Sequence, residues 1–125
     1  MENNTERDKF ARGIGVQVIE ALPERAVCKL EINENHLNGL GLVNGGVLFT
    51  IADYAMAVAA NANGSSTVTL NSSIDFIKSA SRGTIVAVAT PVKTGRTISR
   101  YRVEVRLEEN SDLLAVLSAT SFTIK

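Results

Sequence analysis

From Gly45 to Ala62 the chain reads GGVLFTIADYAMAVAANA, a stretch so apolar that a water-soluble fold must build itself around it. Val47, Leu48, Ile51, Ala55 and Val58 recur at helical spacing, which predicts one long helix with a bulky stripe for a sheet to cover. Asn44 supplies an N-cap oxygen, and Asn61, Asn63 and Gly64 supply the stop. The run falls just short of the ~20 residues a bilayer requires and carries an acid near its middle, so it reads as a buried helix rather than a membrane span. That acid is Asp53, the segment's only ionisable group besides the Tyr54 phenol. Burying an unpaired carboxylate costs on the order of several kcal/mol, so Asp53 is either paired or employed in chemistry.

The chain of 125 residues is long enough for one core and too short for two, which implies a single domain over 1–125. Its 13 basic and 13 acidic side chains cancel, giving no support for a nucleic-acid partner. Cys28, the single cysteine, excludes an internal disulfide and a cysteine zinc site, and alternation places it in the core. His36, the single histidine, reads as a loop residue; without a Gly-x-Ser-x-Gly elbow there is no serine-hydrolase triad. No metal, no membrane partner and no separate cofactor are expected. The polar start MENNTERDKF lacks the apolar segment of a signal peptide, so the expected location is cytoplasmic.

Around the helix the period is two. A short amphipathic helix from Thr5 to Ala11 is followed by strands from Gly15 to Ala21 and from Ala26 to Ile32. Beyond the long helix, Val68, Leu70, Ile74 and Phe76 alternate with Thr69, Asn71, Ser73 and Asp75. The run from Thr84 to Val92 is apolar on both faces, as in a central strand. Lys93 to Arg96 forms a hairpin turn, Tyr101 to Leu107 alternates again, and a last strand runs from Leu113 to Ile124, with the four later strands in a meander. The pattern is α+β: one antiparallel sheet of about six strands curled around one long helix.

On a helical wheel Gly46, Phe49, Thr50, Met56, Ala57 and Ala60 share the Asp53 side. This small, mixed face needs a cover other than the chain's own sheet, either a ligand or another protein chain. Phe49, Met56 and Tyr54 are candidate pocket liners. At the helix start, Gly45 and Gly46 offer backbone N–H groups at the positive end of the dipole, suited to an anion or a developing oxyanion, although paired glycines also open many purely structural helices. Gly45 and Asp53 are eight residues apart, hence ~12 Å along the axis. Both can serve one reaction only if they come from two helices lying antiparallel across a two-fold axis.

The stretch HLNGLGLVNGGVLFTIADYAMAVAAN, with VTLNSSIDFIKSASRG and VKTGRTISRYRVEV, resembles the hot-dog fold acyl-CoA thioesterases, in particular the phenylacetate-pathway (PaaI-like) type. The resemblance covers nearly the whole chain from about Gly13. It implies a homodimer with active sites at its interface, often paired into a homotetramer as a dimer of dimers, and hydrolysis of the thioester of an acyl-CoA. It places Asp53 as nucleophile or general base, Gly45 as donor to the thioester carbonyl, Asn38 as a holder of substrate or water, and Thr69 near a hydroxyl that assists on the opposite subunit. Where the family usually has histidine before Gly-Gly this chain has Asn44, which caps and hydrogen-bonds but does not titrate near neutral pH.

Lys78, Arg82, Lys93, Arg96 and Arg100 fall in turns or on a polar strand face. They belong either to a solvated surface or, for Lys78, Arg82 and Arg96 in particular, to the grip on the phosphates of coenzyme A. A non-catalytic acyl-CoA-binding or sensing domain is the alternative to an enzyme. A dehydratase or hydratase is disfavoured, because such enzymes generally pair a histidine with their acid.

Overall fold

The computed structural model describes residues 8–124. A short helix α1 (Lys9–Gly13) leads into strands β1 (Gln17–Leu22) and β2 (Arg25–Glu31); the long helix α2 (Gly45–Asn61) follows, then β3 (Ser66–Phe76), β4 (Thr84–Lys93), β5 (Ile98–Leu107) and β6 (Leu113–Ile124). The expected helix from Thr5 to Ala11 is thus displaced toward the chain's interior, and its first three residues lie outside the described ones. Asp8 caps α1 by accepting the Ala11 N–H at 3.1 Å.

All six strands form one antiparallel sheet in the order β1-β2-β4-β5-β6-β3. Only β4, β5 and β6 form a meander. The expected four-strand meander is corrected by β3, which follows α2 to the far edge and pairs with β6. The reason is the helix itself: its ~25 Å carry the chain across the sheet before β3 begins.

The inner face of the middle strands sets small residues among larger ones such as Val103, Val105 and Leu117. Ala26, Cys28, Ala87, Ala89, Ala115 and Ala119 are fully buried, so α2 can lie close to the sheet and press Leu48, Ile51 and Val58 into it. Each of those large side chains contributes roughly 1.5–3 kcal/mol by leaving water. Cys28 is part of this packing as expected; burial pushes its thiol up to about 12, which leaves it inert.

β3 departs from strict alternation. Its register with β6 shifts between Thr69 and Asn71, leaving Leu70 as the extra residue of a bulge. Thr69 pairs with buried Ser121, and Ser72, Ile74 and Phe76 pair with Ala119, Leu117 and Ala115, so these four face the helix. Val68, on the opposite face from Thr69, pairs with Phe122 and is exposed. The bulge therefore turns Thr69 toward α2.

The outer face carries a charge lattice in which Lys29 pairs with Glu108, Arg25 with Glu20, and Glu104 with Arg106 and Arg102. The Arg106 and Arg102 guanidiniums hold the Glu104 carboxyl below the usual carboxylate range. Among the described residues no helix is long and apolar enough to cross a membrane.

Candidate active site

The start of α2 is assembled from three pieces of chain. Asn44 adopts an extended backbone and its Oδ1 accepts the Gly46 N–H at 2.7 Å, while its carbonyl accepts from Val47 at 2.9 Å. Asn44 N–H donates to the His36 carbonyl, and Val43 N–H donates to the Ala80 carbonyl, each at 2.8 Å. The second bond draws the turn after β3 up to the helix entry. Among the described residues no acceptor is found for the Gly45 N–H. It opens on a hollow of about 260 Å³ bordered by Val43, Leu48, Phe76, Ile77, Lys78 and Ser79.

Phe76 and Ile77 were not legible as site residues. Phe76 reads as one more core position of β3, yet more than half of it is exposed and its ring lies beside Gly45. A methyl group on Gly45 would meet the Phe76 Cζ at 3.2 Å. Lys78 borders the same hollow and pairs with Asp112 at 2.5 Å.

Asp53 lies two turns further along α2, half-buried. The Thr69 hydroxyl donates to its Oδ1 at 3.2 Å. Thr69, implied to assist on the opposite subunit, thus contacts Asp53 of its own chain, brought there by the bulge. Burial raises the Asp53 pKa above the ordinary aspartate value; the Thr69 hydrogen bond opposes this, and the Asp8 charge adds to it. Such a carboxylate is more basic than an exposed one and is held in one orientation.

Gly46, Phe49, Thr50, Asp53 and Ala57 form an open strip along α2, as the wheel predicts. Met56, Tyr54 and Ala60 do not join it; they are buried in the core. Asn38 turns its Oδ1 inward to accept the Leu40 and Leu42 N–H groups, so only its carboxamide N–H₂ is left to offer. Arg82 is exposed in the turn after β3. Arg96 borders a different hollow with Ala60, Tyr101 and Ser121, at the far end of α2 from Gly45. One chain therefore brings Gly45 together with Lys78, and Asp53 with Thr69, but keeps the two pairs ~12 Å apart. A larger hollow of about 690 Å³ lies on the outer sheet face, floored by Val27, Val86 and Val88, and none of the candidate residues borders it.

His36, expected as a loop residue, ends a short 3₁₀ turn (Glu34–His36) between β2 and α2. It is 4% exposed rather than a free loop side chain. Its Nδ1 accepts the Asn33 N–H at 2.9 Å and its Nε2 lies 2.6 Å from the Ile14 carbonyl oxygen.

Comparison with known proteins places this architecture. The PaaI acyl-coenzyme A thioesterase of Escherichia coli is 32% identical over 101 residues, covering 80% of this chain and 72% of that protein. Human acyl-coenzyme A thioesterase 13 is 27% identical over 115 residues, covering 89% and 82%. A mutant form of the phenylacetic acid degradation protein PaaI from Thermus thermophilus superposes with a TM-score of 0.87 at 32% identity, covering 94% of this chain and all of that one. The family described as "Thioesterase superfamily" matches residues 40–113, which span the glycine-opened helix, the acid and the first three strands after it. With the one sheet wrapped on α2 in the hot-dog arrangement, that match establishes that the chain belongs to the thioesterase superfamily.

Proposed function

We propose that the chain hydrolyses the thioester of a small aromatic or short- to medium-chain acyl-CoA, at a site shared between two copies. The observation that carries this reading is the pair of incomplete devices on one helix. Gly45 presents a backbone donor for which no acceptor is found among the described residues, and Asp53 presents an oriented, more basic carboxylate ~12 Å away. The names of the relatives support the acyl-CoA substrate, and a fold neighbour from Streptococcus pneumoniae, 23% identical with a TM-score of 0.82, was solved with coenzyme A.

The free edge of β3 supports the pairing. It is an 11-residue strand that no other strand borders on that side among the described residues; it exposes Val68 and Leu70, and an edge of that length invites a second strand. Two β3 edges joined antiparallel across a two-fold axis would bring the open strips of two α2 helices together, with Gly45 of one near Asp53 of the other. In that site the Gly45 N–H receives the carbonyl oxygen as it becomes an oxyanion. Asp53 either takes a proton from the attacking water or attacks the carbonyl carbon itself. In both cases the C–S bond breaks and coenzyme A leaves as the thiol; in the first route water becomes the new acid's oxygen directly, and in the second water then hydrolyses the acyl–Asp53 anhydride, releasing the acid and restoring the carboxylate. The carboxamide N–H₂ of Asn38 is free to hold the substrate or the water. Lys78, Arg82 and Arg96 are the cations available to the phosphates.

A thiol-release assay across a panel of acyl-CoA esters tests the reading. Wild type turns over at least one ester class, and Asp53→Ala reduces the rate toward background while remaining folded. Full activity in that variant removes Asp53 from the chemistry. Saturable binding without turnover in wild type supports instead the non-catalytic acyl-CoA-binding domain that the Asn44 substitution raises.

A further inference from the structure

His36 occupies a loop whose neighbours Asn33, Glu34 and Asn35 are exposed, yet it is itself almost completely enclosed. Its two ring contacts fix its chemical state. A carbonyl oxygen only accepts and a backbone N–H only donates, so Nε2 carries the proton toward Ile14 and Nδ1 is bare toward Asn33. The ring is therefore neutral and in one tautomer. Its backbone adds two more bonds: the His36 N–H donates to the Asn33 carbonyl at 3.0 Å, and the His36 carbonyl receives the N–H of Asn44.

These bonds join three segments distant in sequence. Ile14 sits between α1 and β1, Asn33 opens the turn after β2, and Asn44 is the cap of α2. The next N–H along the chain from Asn44 is the Gly45 donor. Through its hydrogen bond to Ile14 the imidazole ties the α1–β1 connection to the loop that enters α2, while the Val43 N–H ties the same loop to the Ala80 carbonyl in the turn after β3.

We propose that His36 is a positioning residue for the Gly45 donor: its neutral imidazole, clasped between the Ile14 carbonyl and the Asn33 amide, holds the backbone that caps α2 and so sets where the Gly45 N–H points. The kinetic consequence rests on the thioesterase reading; the structural consequence does not. His36 touches no reacting atom, and its effect falls on the chemical step rather than on substrate affinity, because an oxyanion donor acts chiefly in the transition state.

The test has two parts. In the wild-type protein with ¹⁵N-labelled imidazole, NMR at neutral pH should show a protonated Nε2 and a bare Nδ1; a ring protonated on Nδ1, or on both nitrogens, overturns the proposal without any variant. His36→Asn then keeps an acceptor for Asn33 but cannot reach Ile14, and His36→Gln keeps a long donor arm without the Nδ1 acceptor. In both, the Gly45 amide resonance should shift and kcat should fall roughly 10- to 100-fold with KM little changed, the cost of a misplaced catalytic group. An unmoved Gly45 resonance with wild-type kcat in a folded variant overturns it. If wild type shows no turnover at all, the thioesterase reading fails, and the Gly45 resonance alone decides for or against His36.

Discussion

Replacing Gly45 with alanine separates the two reasons a helix can begin with glycine. The backbone there is not in the left-handed region, so alanine can adopt it. The added methyl would lie 3.2 Å from the Phe76 Cζ and 3.4 Å from its Cε1, close enough that the ring must give by a few tenths of an ångström. Phe76 is 56% exposed, and its ring has solvent to move into. Alanine gains up to about 1 kcal/mol over glycine inside a helix and less at its first position, and the tight contact offsets part of that. The net change in stability is therefore within about 0.5 kcal/mol, a shift in Tm of about 1–3 °C for a chain of this size. Activity behaves differently, because the methyl stands where the thioester carbonyl must approach the N–H. A displacement of ~1 Å costs about 100-fold in rate, and that is the loss expected in kcat. Thermal melting and thiol release on the same preparation give both quantities. Wild-type kcat in Gly45→Ala would refute the donor role, and a collapse in Tm would show that the glycine serves packing against Phe76 instead.

The remaining predictions concern the acid and its neighbours. With Asp53 as the base, kcat/KM rises with pH through a pKa above the ordinary aspartate value, and Thr69→Val, which removes the hydrogen bond that opposes the shift, moves this acid limb to higher pH; an unmoved limb in a pH–rate profile would detach Thr69 from Asp53. For stability the sign is the reverse of a salt-bridged acid: with the folded pKa raised, the contribution is fully present below the unfolded aspartate value and is lost as pH rises through the folded one. Asp53→Asn removes that loss, so the variant is expected to melt no lower than wild type at neutral pH while losing activity, as chemical denaturation alongside the thiol assay will show. Asn44→His retains a side chain able to hydrogen-bond beside Gly45 but gives up the carboxamide cap on Gly46, so it should lower Tm and add a titration near the histidine range to the pH–rate profile.

Much of the architecture is written in local pattern. The long helix was expected from Gly45 to Ala62 and ends one residue earlier, and β6 has the bounds expected of it, because apolar periodicity and flanking caps act over a few residues. The neighbour of β3 was not legible, since strand order depends on where a ~25 Å helix delivers the chain rather than on β3's own composition. The bulge at Leu70 was hidden for the same reason: it exists only in the register with β6, and it decides which residues meet the helix. Asp53 and Gly45 stood out because an acid in an apolar run and paired glycines at its start violate the surrounding pattern. His36 and Phe76 violate nothing locally. His36 is buried by a carbonyl 22 residues away, and Phe76 is drawn beside Gly45 by contacts that the turn after β3 makes with the helix entry.

The claim on which the rest depends is that one active site takes Gly45 from one copy and Asp53 from another. Subunit mixing tests it. Asp53→Ala and Gly45→Ala, each severely impaired alone, are unfolded together and refolded, or co-expressed with different tags. A mixed dimer pairs the intact Gly45 of one variant with the intact Asp53 of the other, rebuilding one native site of two; random mixing then restores about a quarter of wild-type activity. Restoration to that level supports the shared site. If the mixture is no more active than the two variants assayed separately, while size measurements show that mixed dimers have formed, the two residues do not work across the interface and the account is wrong.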